Sequence, residues 1–165
     1  MNIKFETMTE DHSREVMDIF NYYVENGFAA YVEQKLPYEF FDRLLGMAFG
    51  YPFYAIKNAD SRVIGFCFLR PYHPVPVFRE TAEISYFLDI NETGKGIGKE
   101  ALALLEREGS KMGIKHILAN ISSRNKQSIG FHLKNGFAEC GRFHNIGCKK
   151  GEYFDVVWME KEIKL

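Results

Sequence analysis

Apolar positions along the chain switch between two spacings, and the switches divide it into short elements. Ile3 and Phe5 alternate with polar residues, the pattern of a brief first strand. Thr9 stands before Glu10 and Asp11, a cap followed by an acidic first turn. Val16, Ile19, Phe20, Tyr23 and Val24 then recur at helical spacing until Asn26-Gly27 ends the run. Pro37 opens a second helix, with Phe41, Leu44, Leu45 and Ala48 on one face and Gly50 past its end. Residues 53–57 and 63–69 predict a hairpin around the polar turn 58–62. PYHPVP, 71–76, predicts a loop, because proline lacks the amide hydrogen a central strand needs. A strand over 81–90 leads to glycines at 94, 96 and 98. Ile97, Ala101, Leu105 and Met112 then share a helical stripe that stops at Gly113. A strand over 116–121 and a helix over 125–135, stopped by Gly136, come next. FAECGRF and YFDVVWMEKEI read as two last strands around a turn near 149–151.

The order is β α α β β β α β α β β. Hairpins mixed with strand–helix alternation predict an α/β domain built on one mixed sheet, with helices on both faces. A chain of 165 residues fits a single domain, 1–165, and 46% hydrophobic residues suit a buried core.

Composition narrows the function by exclusion. A net charge of −1 gives no case for nucleic acid as the main partner. No apolar stretch approaches the roughly 20 residues that span a bilayer, and the first residues lack a signal-peptide core. Cys67, Cys140 and Cys148 form no C-x-x-C pair, which argues against a disulfide frame or zinc site and suits a reducing cytoplasm. Cys67 lies in an apolar run and reads as core. His12, His73, His116 and His144 have no ligand spacing, so no metal is expected.

The candidate chemistry starts at NETGKGIGKEALALLE, residues 91–106. A Walker A loop fails, because Lys99 stands where its second glycine belongs. The spacing G-x-G-x-G also departs from the dinucleotide fingerprint. Yet glycines let backbone N–H groups turn toward a ligand, and a helix starts at once, with its dipole aimed at the same place. Lys95 and Lys99 add positive charge. An anion cradle and a plain strand-to-helix turn both fit.

T-G-K-G-I-G-K after an apolar strand resembles the acyl-CoA loop of the GNAT acetyltransferase superfamily, [QR]-x-x-G-x-[GA], with Thr93 replacing its first residue. Asn125 and Ser128, in N-x-x-S, and FHLKNGF at 131–137 resemble the family's last helix and the start of its next strand. IFNYYVENGFAAYVEQ (19–34), TAEISYFL (81–88) and GCKKGEYFDVVWME (147–160) resemble segments of the phosphinothricin and methionine-sulfoximine N-acetyltransferases. Tyr86 comes one position early for that group's strand motif, and Phe154 stands where some members have His.

The resemblance implies a GNAT-like acyl-CoA acyltransferase domain with a central, mostly antiparallel sheet flanked by helices. It implies transfer of acetyl from acetyl-CoA to the primary amine of a small molecule, an amino acid or analogue, and pairing as a homodimer. The diphosphate would sit on the N–H groups of Gly94, Lys95, Gly96, Ile97, Gly98 and Lys99. The pantetheine arm would pair with the backbone of Tyr86, Phe87 and Leu88, and Asn125 and Ser128 would meet it from the last helix. Asn125 also reads as an ordinary N-cap.

Attack on a thioester needs a neutral amine, a polarised carbonyl and a stabilised thiolate. By the resemblance Glu83 would be the base; otherwise it is a solvated residue on the strand face opposite Ala82, Ile84 and Tyr86. A backbone N–H near Phe87 or Leu88 would polarise the carbonyl. His132 would protonate or hydrogen-bond the thiolate; otherwise it is an exposed helix residue. Arg79, ahead of Arg70, would clamp an acceptor carboxylate, and Ser85 shares Glu83's face. Phe28 and Tyr31 would wall the acceptor pocket, or else serve as core or dimer contacts. Two other readings stay open: a non-catalytic acyl-CoA sensor, and an acetyltransferase for protein or peptide N-termini.

Overall fold

The computed structural model describes residues 2–163. Its elements are β1 (Lys4–Thr7), α1 (Ser13–Glu25), α2 (Phe41–Met47), β2 (Phe53–Lys57), β3 (Val63–Pro71), β4 (Thr81–Leu88), α3 (Ile97–Lys111), β5 (His116–Ser122), α4 (Lys126–Lys134), β6 (Ala138–Lys149) and β7 (Glu152–Glu162). The predicted order holds throughout. Among the described residues the strands form one sheet in the order β1-β2-β3-β4-β5-β7-β6. Every neighbouring pair is antiparallel except β4 and β5.

Two cores lie on opposite sides of this sheet. One gathers Ile56, Leu69, Ala82, Ile84, Ile117 and Met159 under Ile97, Ala101 and Leu105 of α3. The other packs Phe53, Phe66 and Phe68 against Val16, Met17 and Ile19 of α1 and Phe41 and Leu44 of α2. β3 serves both, so seven residues in succession are buried. Its alternation slips once, between Ile56 and Lys57 of the partner strand, and sends Val63 to the second core and Ile64 to the first. Each large side chain fully buried this way stabilises the fold by about 1.5–3 kcal/mol. Cys67 is buried among them, and its thiol is held protonated by desolvation.

Several boundaries differ from the predicted ones for local reasons. Thr9 leads first into a 3-10 turn, Glu10–His12, before α1 begins. There His12 Nδ1 accepts the Thr9 amide at 3.1 Å, the part a Glu or Gln plays in a capping box. β4 stops at Leu88, not at 90, because the Asp89 side chain accepts the Asn91 amide and starts another 3-10 turn. Pro71 belongs to the end of β3, opposite Ala82, rather than to the loop. Met112 is 44% exposed, so it leaves the predicted stripe. It is the C-cap of α3, beyond the last turn, and Leu102 and Gly109 are buried in its stead. β6 runs six residues farther than FAECGRF suggests, to Lys149, with its register shifting between Phe143 and Gly147.

Candidate active site

The parallel ladder between β4 and β5 is short. It pairs Thr81, Ala82 and Glu83 with His116, Ile117 and Leu118, then ends. Beyond it β4 stays with β3, and β5 stays with β7. The two strands part, and the gap becomes a cleft of about 610 Å³, a size suited to a small-molecule ligand. Tyr86, Phe87 and Leu88 line one wall; Asn125, Ser128 and Phe131 line the other; Gly94, Gly96, Gly98 and Lys99 close the end. A smaller chamber of about 100 Å³ continues inward past Ser85, Asn120, Ser122 and His132.

The glycine turn is an anion cradle in shape. Gly94 and Gly96 have φ of 76° and 88°, conformations that L side chains resist. Gly96 is the N-cap of α3, so the first amides of that helix open onto the cleft. Two expected donors are differently placed. The Lys99 amide is already bonded to the Gly96 carbonyl at 3.0 Å, so the donors offered lie upstream of it. The Lys95 ammonium pairs with Glu92 at 2.9 Å. Ile97 has its side chain in the core at 1% exposure, which leaves its backbone alone facing the turn. Asn125 caps α4, its Oδ1 accepting the Ser128 amide at 3.2 Å, and lines the cleft as well. The N-cap reading of Asn125 holds, and its place in the cleft wall leaves the other open to the coenzyme arm.

Glu83 lies in the last pair of the ladder, where the strands begin to part. It shares a sheet face with Ser85, while Ala82 and Ile84 enter the core. It is not solvated: its side chain is 11% exposed and its Oε2 accepts Arg70 Nη2 at 2.5 Å. Arg70 stands directly opposite in the β3–β4 register. The Arg70 Nε is buried without a hydrogen-bond partner among the described residues. Arg79 sits exposed, just past the 3-10 turn Pro76–Phe78, so Arg70 is the arginine at the carboxylate.

His132 is 3% exposed, which overturns its reading as an exposed helix residue. Its Nδ1 lies 2.7 Å from the Ser128 carbonyl oxygen. A carbonyl only accepts, so Nδ1 carries the hydrogen and Nε2 is the acceptor. The Tyr86 hydroxyl donates to that Nε2, and the two rings stack with centroids 5.5 Å apart. Desolvation lowers the His132 pKa against a smaller opposing effect of the Ser128 bond, which keeps the ring neutral. Burial pushes the Tyr86 phenol well above its usual value.

Past Glu83 the site becomes aromatic. Tyr31 stacks on Phe154 with ring centroids 5.5 Å apart, and Phe28 meets the same ring edge-on at 5.7 Å. The Tyr31 hydroxyl donates to Asn120 Oδ1 at 2.6 Å. Burial, and then the Glu83 charge, push that phenol up to about 12. Asn120 and the Tyr86–His132 contact were not foreseen. Counting the β4 alternation from Tyr86 puts its ring on the α4 side, but only the packed helix shows which residue it meets. Among the described residues no group of three or more His, Cys, Asp and Glu lies close enough to hold a metal, and no helix is long and apolar enough to cross a membrane.

Residues 6–158 match the family described as Acetyltransferase (GNAT) domain. The L-methionine sulfoximine/L-methionine sulfone acetyltransferase of Pseudomonas aeruginosa is 32% identical over 111 residues, 67% of this chain and 64% of that protein. The match thus spans slightly under two thirds of that relative's own length. The phosphinothricin N-acetyltransferase of Streptomyces coelicolor is 25% identical over 158 residues, 93% of this chain and 92% of that protein. The crystal structure of a phosphinothricin acetyltransferase from Sinorhizobium meliloti in complex with AcCoA superimposes with a TM-score of 0.92 at 26% identity, covering 99% of this chain and 89% of that one. The family match begins in β1 and ends in β7, around a split between β4 and β5 that opens on a glycine turn: the chain belongs to the GNAT acetyltransferase family.

Proposed function

We propose that the protein is an acetyl-CoA-dependent N-acetyltransferase acting on the primary amine of an amino acid or analogue, of the phosphinothricin or methionine sulfoximine kind. The observation that carries this reading is the placing of the buried Glu83 in the last pair before β4 and β5 part, close enough to the Tyr31 phenol for its charge to act there. The cleft fits the coenzyme: a glycine turn with amides at a helix start suits a diphosphate, and the exposed edge of Tyr86 to Leu88 suits an amide-bearing arm. An acceptor carboxylate would satisfy the unpartnered Arg70 Nε. Relatives named for amino-acid analogues agree with that chemistry.

Each residue then has a task. Glu83, directly or through water, takes a proton from the ammonium as the nitrogen approaches the thioester carbon. The oxyanion that develops is met by backbone N–H near Phe87 or Leu88. Collapse breaks the C–S bond and leaves the electron pair on sulfur. His132 has no N–H to offer there, since its one hydrogen is on Nδ1 and bonded to Ser128. It holds the Tyr86 phenol at the inner end of the cleft; as charge develops on sulfur, the single Tyr86 O–H turns from His132 Nε2 to the thiolate as a hydrogen bond, and no proton leaves the phenol.

Thiol release from acetyl-CoA with a panel of small amines tests the function. Turnover is expected with phosphinothricin or methionine sulfoximine and not with peptides bearing a free N-terminus. Binding of acetyl-CoA without turnover of any amine would point to the sensor reading instead, and turnover of the peptides alone to the N-terminal one. In the same assay Tyr86→Phe is expected to lower kcat about tenfold, the worth of one hydrogen bond at about 1.4 kcal/mol, while the acetyl-CoA KM holds. An unchanged kcat in that variant would remove Tyr86 from the mechanism.

A further inference from the structure

The tip of the β6–β7 hairpin carries Lys149, a lysine that ends inside the protein. The turn itself is two residues, Lys150 and Gly151, with φ of 50° and 77°. Two left-handed residues match the twist of the flanking strands and close a tight hairpin, with Lys149 opposite Glu152. Strand alternation places Lys149 on the face of Gly147, and it is 1% exposed. An ammonium has three N–H donors and no acceptor. Here its partners are three backbone carbonyls: Ala30 at 2.7 Å, Gly27 at 2.8 Å and Tyr23 at 3.4 Å. Tyr23 lies in the last turn of α1, where carbonyls lack helical partners and the dipole favours a cation. The neighbouring Lys150 adds two bonds at 2.6 Å, from its amide to Glu33 Oε1 and from its ammonium to the Glu25 carbonyl.

These bonds bracket the connection after α1, the segment that holds Phe28 and Tyr31. Its aromatic partner comes from the same hairpin. Phe154 lies so close over Gly147 that a Cβ there would fall 2.2 Å from its ring. One motif, Gly147-Cys148-Lys149-Lys150-Gly151, thus seats the ring with its glycine and the facing segment with its lysine.

We propose that Lys149 is a positioning residue for the amine acceptor, tethering segment 26–34 so that Tyr31 and Phe28 stand against Phe154 beside Glu83. This rests on the proposed function, with the aromatic cluster near Glu83 read as the acceptor site. The tether touches neither the glycine turn nor α4; it meets the coenzyme cleft at Tyr23 and Ala29, so its effect falls first on the acceptor side and less on acetyl-CoA.

Lys149→Met keeps the stem and removes the donors; Lys149→Arg keeps the charge with its donors displaced. With an amine that the wild type turns over, Lys149→Met is expected to raise the amine KM about tenfold and leave the acetyl-CoA KM within about twofold. Lys149→Arg is expected to fall between it and the wild type. Amide hydrogen exchange should quicken in residues 26–34 and stay unchanged in β4 and β5. If Lys149→Met does not fold, the same split in Lys149→Arg decides. Equal rises in both KM values, or unchanged exchange in 26–34, would overturn the proposal. A wild type that acetylates no amine would overturn the acceptor role along with the proposed function, whereas quicker exchange confined to 26–34 would still uphold the tether.

Discussion

Exchanging Glu83 for Gln is expected to lower kcat by about 10²–10⁴-fold, the contribution of a positioned general base. Gln has the same shape, and its amide oxygen still accepts from Arg70, whose Nη2 lies 2.5 Å from the carboxylate. The ion pair becomes a charge–dipole hydrogen bond, and the surrounding packing keeps its form. What the variant lacks is a place for the amine's proton. The acetyl-CoA Kd should therefore hold, because Glu83 is not among the residues lining the coenzyme cleft. The pH profile separates a base from a mere binding group. Without the base, only acceptor already in its free-amine form reacts, so the variant's rate should climb with pH as that form grows. Steady-state rates at pH 7 and pH 9, for wild type and variant, make the comparison. A variant equally active at both would remove Glu83 as the base.

How far the sequence foretells this site depends on the range of the interaction. Spacing in the chain sets the element order, and it placed Ile97, Ala101 and Leu105 on the buried face of α3. Glycines with a local task were legible too: Gly96 caps α3, while Gly113 and Gly136 follow α3 and α4 with positive φ. Met112 failed because periodicity does not show where a helix ends. Contacts between distant segments were largely out of reach. Arg70 and Glu83 meet because β3 and β4 pair in one register among several that the connection over 72–80 allows. Phe28, Tyr31 and Phe154 meet across more than a hundred residues. Lys149 carried no signal of burial, since a lysine beside a turn is ordinarily solvated. Its carbonyl partners become visible only when the hairpin closes over the end of α1. His132 shows a subtler limit. The sequence marked it as a candidate, but not that Ser128 and Tyr86 would take both of its nitrogens.

Gly65→Ala is expected to damage coenzyme binding from the far side of β4. Gly65 faces Leu88 across the β3–β4 ladder. A Cβ at that position would lie 2.5 Å from Leu88 Cδ2, 2.8 Å from the Phe87 carbonyl oxygen and 3.3 Å from Leu88 Cα. The Leu88 side chain can turn aside; the Phe87 carbonyl is main chain and cannot. The strands must separate there, and β4 must shift toward the cleft that Phe87 and Leu88 line. Overpacking of this kind costs about 1–3 kcal/mol. For a chain of this size each kcal/mol lowers Tm by about 2–4 °C. Passing half of that strain to the cleft edge would weaken acetyl-CoA about two- to tenfold, at about 1.4 kcal/mol per decade. Gly46→Ala is the control: Gly46 lies within α2, and its added Cβ would meet nothing within 4 Å. That change should raise stability by up to about 1 kcal/mol through helix propensity and leave the coenzyme affinity alone. Thermal melts and calorimetric titration with acetyl-CoA read both variants. If Gly65→Ala melts and binds like the wild type, the edge of β4 at 87–88 is not the surface that positions the coenzyme.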